Sequence, residues 1–186
     1  MKMNRMPVCV ILLAAALLPG CFGSAVRDEP PVPAFLEGQK YYLAGNYEAA
    51  ARQFEASISA RPSEAAEACY WVGVCRLNQQ RYAEAEQAFR RCIEKRPRAT
   101  LQRKAWAGIG DCQRLSLKYD LAVKSYQRVL QTHDPAIEGD VIMLNCGLCL
   151  IDSGRAAEGK KMLEEFRAAY PASPWIQTAK DALAGR

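Results

Sequence analysis

Cysteine is the residue type in this sequence that could take part in the most chemistry, because there are eight cysteines and only one histidine. An even number of cysteines in an exported chain favours a disulfide framework, whereas converging cysteines and histidines favour a metal site. Cys146 and Cys149 lie three residues apart in a helical pattern, which is poor geometry for a bridge. Because the lone His133 lies in a predicted loop and no second CxxC pair occurs, we expect no metal site.

Motifs of the common enzyme classes are absent from the sequence. There is no GxSxG, P-loop, HExxH or GxGxxG pattern. The formal net charge of +5 is scattered, with acidic residues beside the basic clusters, so no basic stripe suited to nucleic acid is present. We therefore expect no enzyme activity, no cofactor, no small-molecule substrate and no nucleic-acid partner.

The first 20 residues differ in kind from the rest of the chain. Lys2 and Arg5 precede an apolar run at residues 8–18, which is shorter than the roughly 20 residues that a membrane-spanning helix needs. A short basic region followed by a short apolar run is typical of a secretory signal peptide. Residues 1–20 are therefore predicted to be a signal peptide and to take no part in the fold.

The LPGC stretch that ends at Cys21 resembles the bacterial lipobox, although Pro19 stands where Ala, Ser or Thr is usual. The resemblance implies that Cys21 is the lipidated first residue of the mature chain. The alternative is ordinary cleavage after the small residues Gly23-Ser24-Ala25, which would release a soluble periplasmic or secreted protein. Residues 21–33, rich in Pro, Gly and charge, are predicted to form a flexible tether. Because Phe22 rather than Asp follows the cysteine, we expect the periplasmic face of the outer membrane.

The remaining sequence repeats with a period close to 36 residues, a spacing typical of stacked helical pairs. Glycine recurs at Gly38, Gly73, Gly110 and Gly147, at intervals of 35, 37 and 37 residues. Each glycine is followed at fixed distances by a small residue and then by a large apolar one, namely Phe54, Phe89, Tyr126 or Leu163. Pro62, Pro97 and Pro171 end three of the second helices, because proline cannot donate a helical hydrogen bond. Each repeat is predicted to be a helix, a turn and a second helix.

Over residues 31–173 this pattern resembles the tetratricopeptide-repeat family. The resemblance implies an all-α fold, a right-handed solenoid of about four helix pairs followed by a C-terminal capping helix. The repeats are placed at residues 34–173, in segments of about 31–64, 66–99, 103–136 and 140–173. Residues 174–186 are predicted to be the capping helix and tail, with Ser173 as its cap and Pro174 in its first turn. Trp175, Ala179, Ala182 and Leu183 are expected to cover the last repeat.

The repeat alignment assigns the cysteines to different roles. Cys9 lies in the signal peptide, and six cysteines fall at positions where the family buries small or apolar residues: Cys69, Cys75, Cys92, Cys112, Cys146 and Cys149. These six are expected to be buried thiols. A single bridge between Cys69 and Cys92 remains the alternative, since both lie in one repeat.

In the family, the first helices line a concave groove that binds partner proteins. The groove positions of the family correspond here to Phe35, Gln39, Tyr42, Tyr70, Trp71, Val74, Asn78, Lys104, Asp111, Arg114, Leu144, Asn145, Leu148 and Asp152. Trp71 is placed equally well in the groove or between repeats. Of the positions by which chaperone-binding repeats hold a terminal carboxylate, only Lys104 matches, so an apolar or aromatic peptide is expected instead.

The expected function is that of an envelope-anchored adaptor, which binds a protein or peptide noncovalently in cell-envelope or outer-membrane assembly. The short tail YPASP at residues 170–174 resembles repeat ends in barrel-assembly lipoproteins and Tol-Pal partners. The alternative is a structural subunit of a larger envelope machine, of the barrel-assembly, pilus-secretin or Tol-Pal type, that contacts its partners through the convex face.

Overall fold

A computed structural model describes residues 33–131 and 139–185 of the chain. These residues form helices and connecting turns, with no strand among them. The helices are α1 (Ala34–Leu43), α2 (Tyr47–Ala60), α3 (Ala65–Asn78), α4 (Tyr82–Glu94), α5 (Ala99–Leu115), α6 (Tyr119–Leu130), α7 (Gly139–Asp152), α8 (Ala156–Ala169) and α9 (Ile176–Leu183). None of these helices combines the length and the apolar character needed to cross a membrane.

The helices stack in chain order as antiparallel neighbours. Each helix packs against the next one along the chain, and α3 also contacts α5, the first helix of the following pair. The first eight helices therefore form four pairs, and α9 packs against α8 at the end of the stack. This confirms the predicted all-α solenoid of four helix pairs with a capping helix. The predicted signal peptide and most of the predicted tether, including Cys21, lie outside the described residues.

Left-handed residues reverse the chain between the two helices of each pair. Gly45 and Gly154 have φ values of +74° and +85°, a region that favours glycine because it has no Cβ atom. Gln80 and Leu117 occupy the equivalent turns at φ values of +60° and +59°. A side chain in this region costs about 1 kcal/mol or more, so the packing of the flanking helices determines the turn at these two places.

A ring or branched side chain on each second helix lies directly on the glycine of the first helix. A Cβ atom placed on Gly73 would lie 2.7 Å from Cδ1 of Phe89, and one on Gly110 would lie 2.5 Å from Cε1 of Tyr126. Phe89 is also covered from the next repeat, since a Cβ on Gly108 would lie 2.6 Å from its Cζ. Phe89 is buried. The two helices of a pair can approach this closely because the first one carries glycine at the contact.

The six cysteines of the repeats are buried and none forms a disulfide. Cys69 and Cys92 pack with Phe89 and Ile109 in the core between the second and third repeats. The structure therefore favours the predicted buried thiols over the alternative bridge between these two residues. Burial raises the pKa of Cys92 and Cys149 to about 12 and that of Cys75 to about 11, which holds the thiols in their neutral form.

Polar side chains join the first two repeats. Arg76 on α3 is 8% exposed, and its Nη1 atom donates to Glu48 Oε2 on α2 at 2.6 Å. Its Nε atom also lies 3.8 Å from Glu84 on α4, within the second repeat. Arg81 in the following turn donates to the same Glu48 oxygen at 3.2 Å. A buried arginine thus holds three successive helices through carboxylates that remain partly hydrated.

The capping helix differs in one respect from the prediction. Ala179 is fully buried, and Ile176, Ala182 and Leu183 pack on the core of the last repeat as a cap requires. Trp175, however, is 44% exposed, so its predicted role in covering the last repeat is wrong. The helix begins at Ile176, after the predicted first turn. Trp175 precedes it, and its backbone N–H donates to Ser173 Oγ at 3.3 Å.

Replacing Gly73 with Ala is expected to lower the free energy of unfolding by about 1–3 kcal/mol, because Phe89 is held on both faces and cannot move away. Chemical denaturation measures the loss. Phe89→Leu supplies the comparison, because Leu163 makes the equivalent contact with Gly147 in the fourth repeat. In a Phe89→Leu background, Gly73→Ala should lower the free energy of unfolding by clearly less. Strictly additive losses would show that the ring does not set the distance between the two helices of the pair.

The six repeat thiols are expected to resist a thiol reagent such as DTNB in the folded protein and to react once the protein is denatured. Labelling followed by mass spectrometry of peptides measures each site separately. Because folding raises the pKa of Cys92 from 9.0 to about 12, the protein should lose stability as the pH rises through that interval. Rapid labelling of any of the six in the folded protein would contradict this arrangement.

Candidate binding groove

The candidate site lies along the first helices of the four pairs, α1, α3, α5 and α7. In a stack of helix pairs these helices line the concave face. Most predicted groove residues are partly or fully exposed. Leu144 is different: it is 3% exposed and packs with Leu163, Phe166 and Ala179. It therefore belongs to the core, because the last repeat needs a large apolar side chain beneath α9.

Aromatic rings form a continuous cluster across the first two repeats. The ring of Tyr42 on α1 meets that of Trp71 on α3 edge-on at 5.1 Å between centroids. Trp71 stacks on Phe54 at 5.9 Å and meets Tyr70 edge-on at 5.8 Å. Trp71 is half-buried, so it joins the two repeats and leaves part of its ring accessible to the candidate groove. Its packing between repeats is therefore established, and its role in the groove stays a prediction.

The other aromatic residues of this cluster are tied to the core. Phe35 lies edge-on to Phe54 at 5.3 Å, and Tyr70 is tilted against Phe89 at 5.6 Å. Burial raises the pKa of both Tyr42 and Tyr70, so their hydroxyls are neutral hydrogen-bonding groups. Because the rings hold one another in place, a partner meets a preorganised apolar surface and little side-chain entropy is lost on binding.

Small polar and aliphatic residues flank the rings. Gln39 and Val74 are half-buried, and Asn78 is exposed at the end of α3. The Asn78 side chain donates to the Val74 carbonyl at 2.8 Å and also hydrogen-bonds Tyr42. This amide therefore links α1 and α3 at one end of the aromatic cluster.

A polar cluster occupies the third repeat. The hydroxyl of Tyr126, a fully buried residue on α6, donates to Asp111 Oδ1 on α5 at 2.7 Å. Burial raises the pKa of Asp111, although the Tyr126 hydrogen bond and the positive charge of Arg114 both act to lower it. Burial acts to lower the pKa of Arg114, but the hydrogen bond to Tyr126 and nearby negative charge outweigh it and raise the pKa. The tyrosine hydroxyl thus lies between a carboxylate and a guanidinium.

The last part of the groove is more open. Lys104 and Asp152 are exposed, and Asn145 and Leu148 are half-buried on α7. A cavity of about 360 Å³ opens beside Lys104 and is lined by Glu67, Arg98, Thr100, Leu101 and Lys104. Glu67 was not among the predicted site residues, although it precedes Tyr70 by three residues and so shares its helix face. Within the described ranges, no group of three or more His, Cys, Asp or Glu side chains is arranged to hold a metal ion.

Comparisons with known proteins agree with this architecture. Residues 35–100 match the family model described as tetratricopeptide repeat. A chain of the APC/C hetero-tetramer Cut9–Hcn1 superposes with a TM-score of 0.65 at 18% identity over 82% of this chain, which spans only 29% of that chain. A structure of MamA from AMB-1 superposes with a TM-score of 0.65 at 18% identity, over 81% of this chain and 77% of that one. No curated protein sequence matches significantly.

The family model accounts for the first two helix pairs, and the structural neighbours extend the same architecture over most of the chain. No catalytic family is indicated. The fold is that of a scaffold for protein–protein interaction. Residues 35–100 therefore carry the sequence pattern of the tetratricopeptide repeat, and the described helix pairs continue the same stacked architecture beyond them.

Proposed function

We propose that the chain is a non-enzymatic adaptor that binds an extended segment of a partner protein in its concave groove. The observation that carries this proposal is the aromatic surface of Tyr42, Tyr70 and Trp71. These half-buried rings are packed against one another on α1 and α3. Tyr and Trp are enriched among the residues that dominate binding energy at protein interfaces.

The bound segment is apolar or aromatic where it meets the first two repeats. Ring faces and edges complement apolar side chains, and Gln39 and Asn78 offer amide groups to a backbone that passes between the rings. A terminal carboxylate is not the primary ligand. At the positions used by chaperone-binding repeats, Lys104 is accompanied by Phe35, Gln39, Trp71 and Gly108, which carry no positive charge.

We also propose that the adaptor is tethered to the cell envelope through a lipid on Cys21. The proposal rests on the LPGC motif, the apolar run before it and the Pro-rich stretch after it. Bacterial lipoproteins carry more than one acyl chain, and two or more chains anchor a protein firmly. Anchoring would confine the groove to a surface and raise the effective concentration of its partner. The absence of Asp at position 22 favours the outer membrane.

A second function deserves a test because the stack also presents a broad convex face. The exposed residues of the second helices include Arg91 on α4 and Lys124 on α6. As a structural subunit of a larger envelope machine, the protein would contact its neighbours through this face, and the aromatic surface would serve only to join repeats.

Replacing Tyr70 and Trp71 with Ala is expected to weaken partner binding by about 30-fold or more, as the loss of interface hot spots does. The partner is first recovered from detergent-solubilised membranes of the source organism and identified, and its affinity is then measured by calorimetry. Because Trp71 also joins two repeats, Tyr70→Ala alone is measured in parallel, and circular dichroism checks that each variant is folded.

The control is the double variant Arg91→Ala with Lys124→Ala, which alters only exposed side chains of the second helices. It should bind the partner like the unaltered protein. Unchanged affinity in both Tyr70 variants, together with a loss in this control, would contradict the groove and favour the convex face.

Intact mass spectrometry of the chain produced in a bacterium tests the anchor. The mature protein is expected to begin at Cys21, to carry added acyl mass and to partition into detergent. Cys21→Ser should abolish both the acyl mass and the partitioning. A mature mass that begins at Val26 without acyl groups would instead indicate a soluble exported protein.

A further inference from the structure

The third repeat departs from the others at two coupled positions. The residue that packs on the repeated glycine of the first helix is Phe54 or Phe89 in the first two repeats but Tyr126 in the third. The residue directly after the repeated glycine is Asp111 in the third repeat, and it is uncharged in the other three repeats. The added hydroxyl and the added carboxylate meet in a 2.7 Å hydrogen bond. The Tyr126 hydroxyl therefore explains the orientation of the Asp111 carboxylate, but it does not explain why a carboxylate stands at this position.

Asp111 retains unused hydrogen-bonding capacity. A carboxylate has about four acceptor positions, and Tyr126 is its hydrogen-bond donor within residues 33–131 and 139–185. No ion pair to Asp111 is formed within the same ranges. Its burial disfavours the charged form, as the raised pKa indicates. Arg114 supplies positive charge nearby, but the remaining acceptor positions of the carboxylate are open to a further hydrogen-bond donor, and a cationic donor would make the strongest bond.

Arg114 acts on Asp111 through its charge and not through a hydrogen bond. It lies one helical turn further along α5 and interacts with the Tyr126 hydroxyl, while its Nε atom is buried without a hydrogen-bond partner in the described part of the chain. Its own pKa is raised, so its charge is already favoured by its surroundings.

The surroundings also favour a cation. Burial is the main cause of the raised pKa of Tyr70 on the neighbouring first helix, and the charge of Asp111 is among the smaller causes that raise it further. The ring of Tyr70 meets that of Trp71 edge-on, so Tyr70 connects the aromatic cluster of the first two repeats to the neighbourhood of Asp111. Aromatic faces attract cations through their quadrupole.

We propose that Asp111 is a specificity-determining residue of the groove, which receives a lysine or arginine side chain of the bound segment beside the ring of Tyr70. This inference rests on the proposed groove function and specifies its ligand: a segment with apolar or aromatic residues at the first two repeats and a basic residue at the third. Tyr126 is a positioning residue that holds the carboxylate toward the groove.

Selection of random peptides displayed on phage, with the folded protein as bait, tests the preference without a known partner. Peptides selected by the unaltered protein should be enriched in aromatic residues and in Lys or Arg at one spacing from them. Selection on Asp111→Asn should keep the aromatic enrichment and lose the basic one. Asp120→Asn, the same change at an exposed residue of α6, should retain both.

A selected peptide and its copy with Gln in place of the basic residue then measure the contact directly. The unaltered protein should bind the Gln copy about tenfold more weakly, and Asp111→Asn should bind the two alike. Because Asn keeps an acceptor oxygen for the Tyr126 hydroxyl, Asp111→Asn should remain folded, and circular dichroism verifies this, so that misfolding would not mimic the result. Tyr126→Phe should reduce the tenfold preference without reversing it.

The outcomes separate this inference from the proposed groove function. Peptides whose binding depends on Tyr70, but whose basic residue is absent or insensitive to Asp111→Asn, would overturn the assignment of Asp111 and leave the groove intact. Failure to select any peptide whose binding depends on Tyr70 would overturn the groove and, with it, the role of Asp111.

Discussion

The close contact between a large side chain on each second helix (a ring in the first three repeats and Leu163 in the fourth) and a glycine on the first helix determines the spacing of the whole stack. Phe89 shows the constraint most clearly, because it is covered by Gly73 of its own repeat and by Gly108 of the next. Phe54 occupies the same place one repeat earlier, between Gly38 and the stacked ring of Trp71. Since the rings cannot shift, they fix both the distance within a pair and the approach of the following pair.

The junctions between repeats differ in chemistry although the backbone pattern is the same. At one helical position, Arg76 holds the first junction through Glu48, and Gln113 holds the second by donating to Glu86 at 3.0 Å and accepting from Ser125 at 2.8 Å. Leu150 occupies that position in the fourth repeat and packs in an apolar cluster instead. Hydrogen bonds require a particular register, whereas apolar contacts tolerate several, so the first three repeats are specified more strictly.

This arrangement divides the groove into two chemically different parts. Rings that join the first two repeats also line the proposed groove there, and their mutual contacts make that part rigid and apolar. In the third repeat the ring that rests on glycine carries a hydroxyl, and this hydroxyl brings a carboxylate and a guanidinium together. The same packing position thus supplies a structural ring in one repeat and a polar site in the next.

The fold could be predicted from the sequence alone, because glycine, a small residue, a large residue and proline recur at a nearly constant period that is typical of stacked helix pairs. The burial of the six cysteines followed from the same alignment. Periodicity could not reveal that Leu144 lies in the core, that Trp175 stays outside it, or that Asp111 meets Tyr126. Those outcomes depend on the rotation of neighbouring helices and on where each helix ends. Contacts between residues distant in sequence determine both, and such contacts exist only in the folded protein.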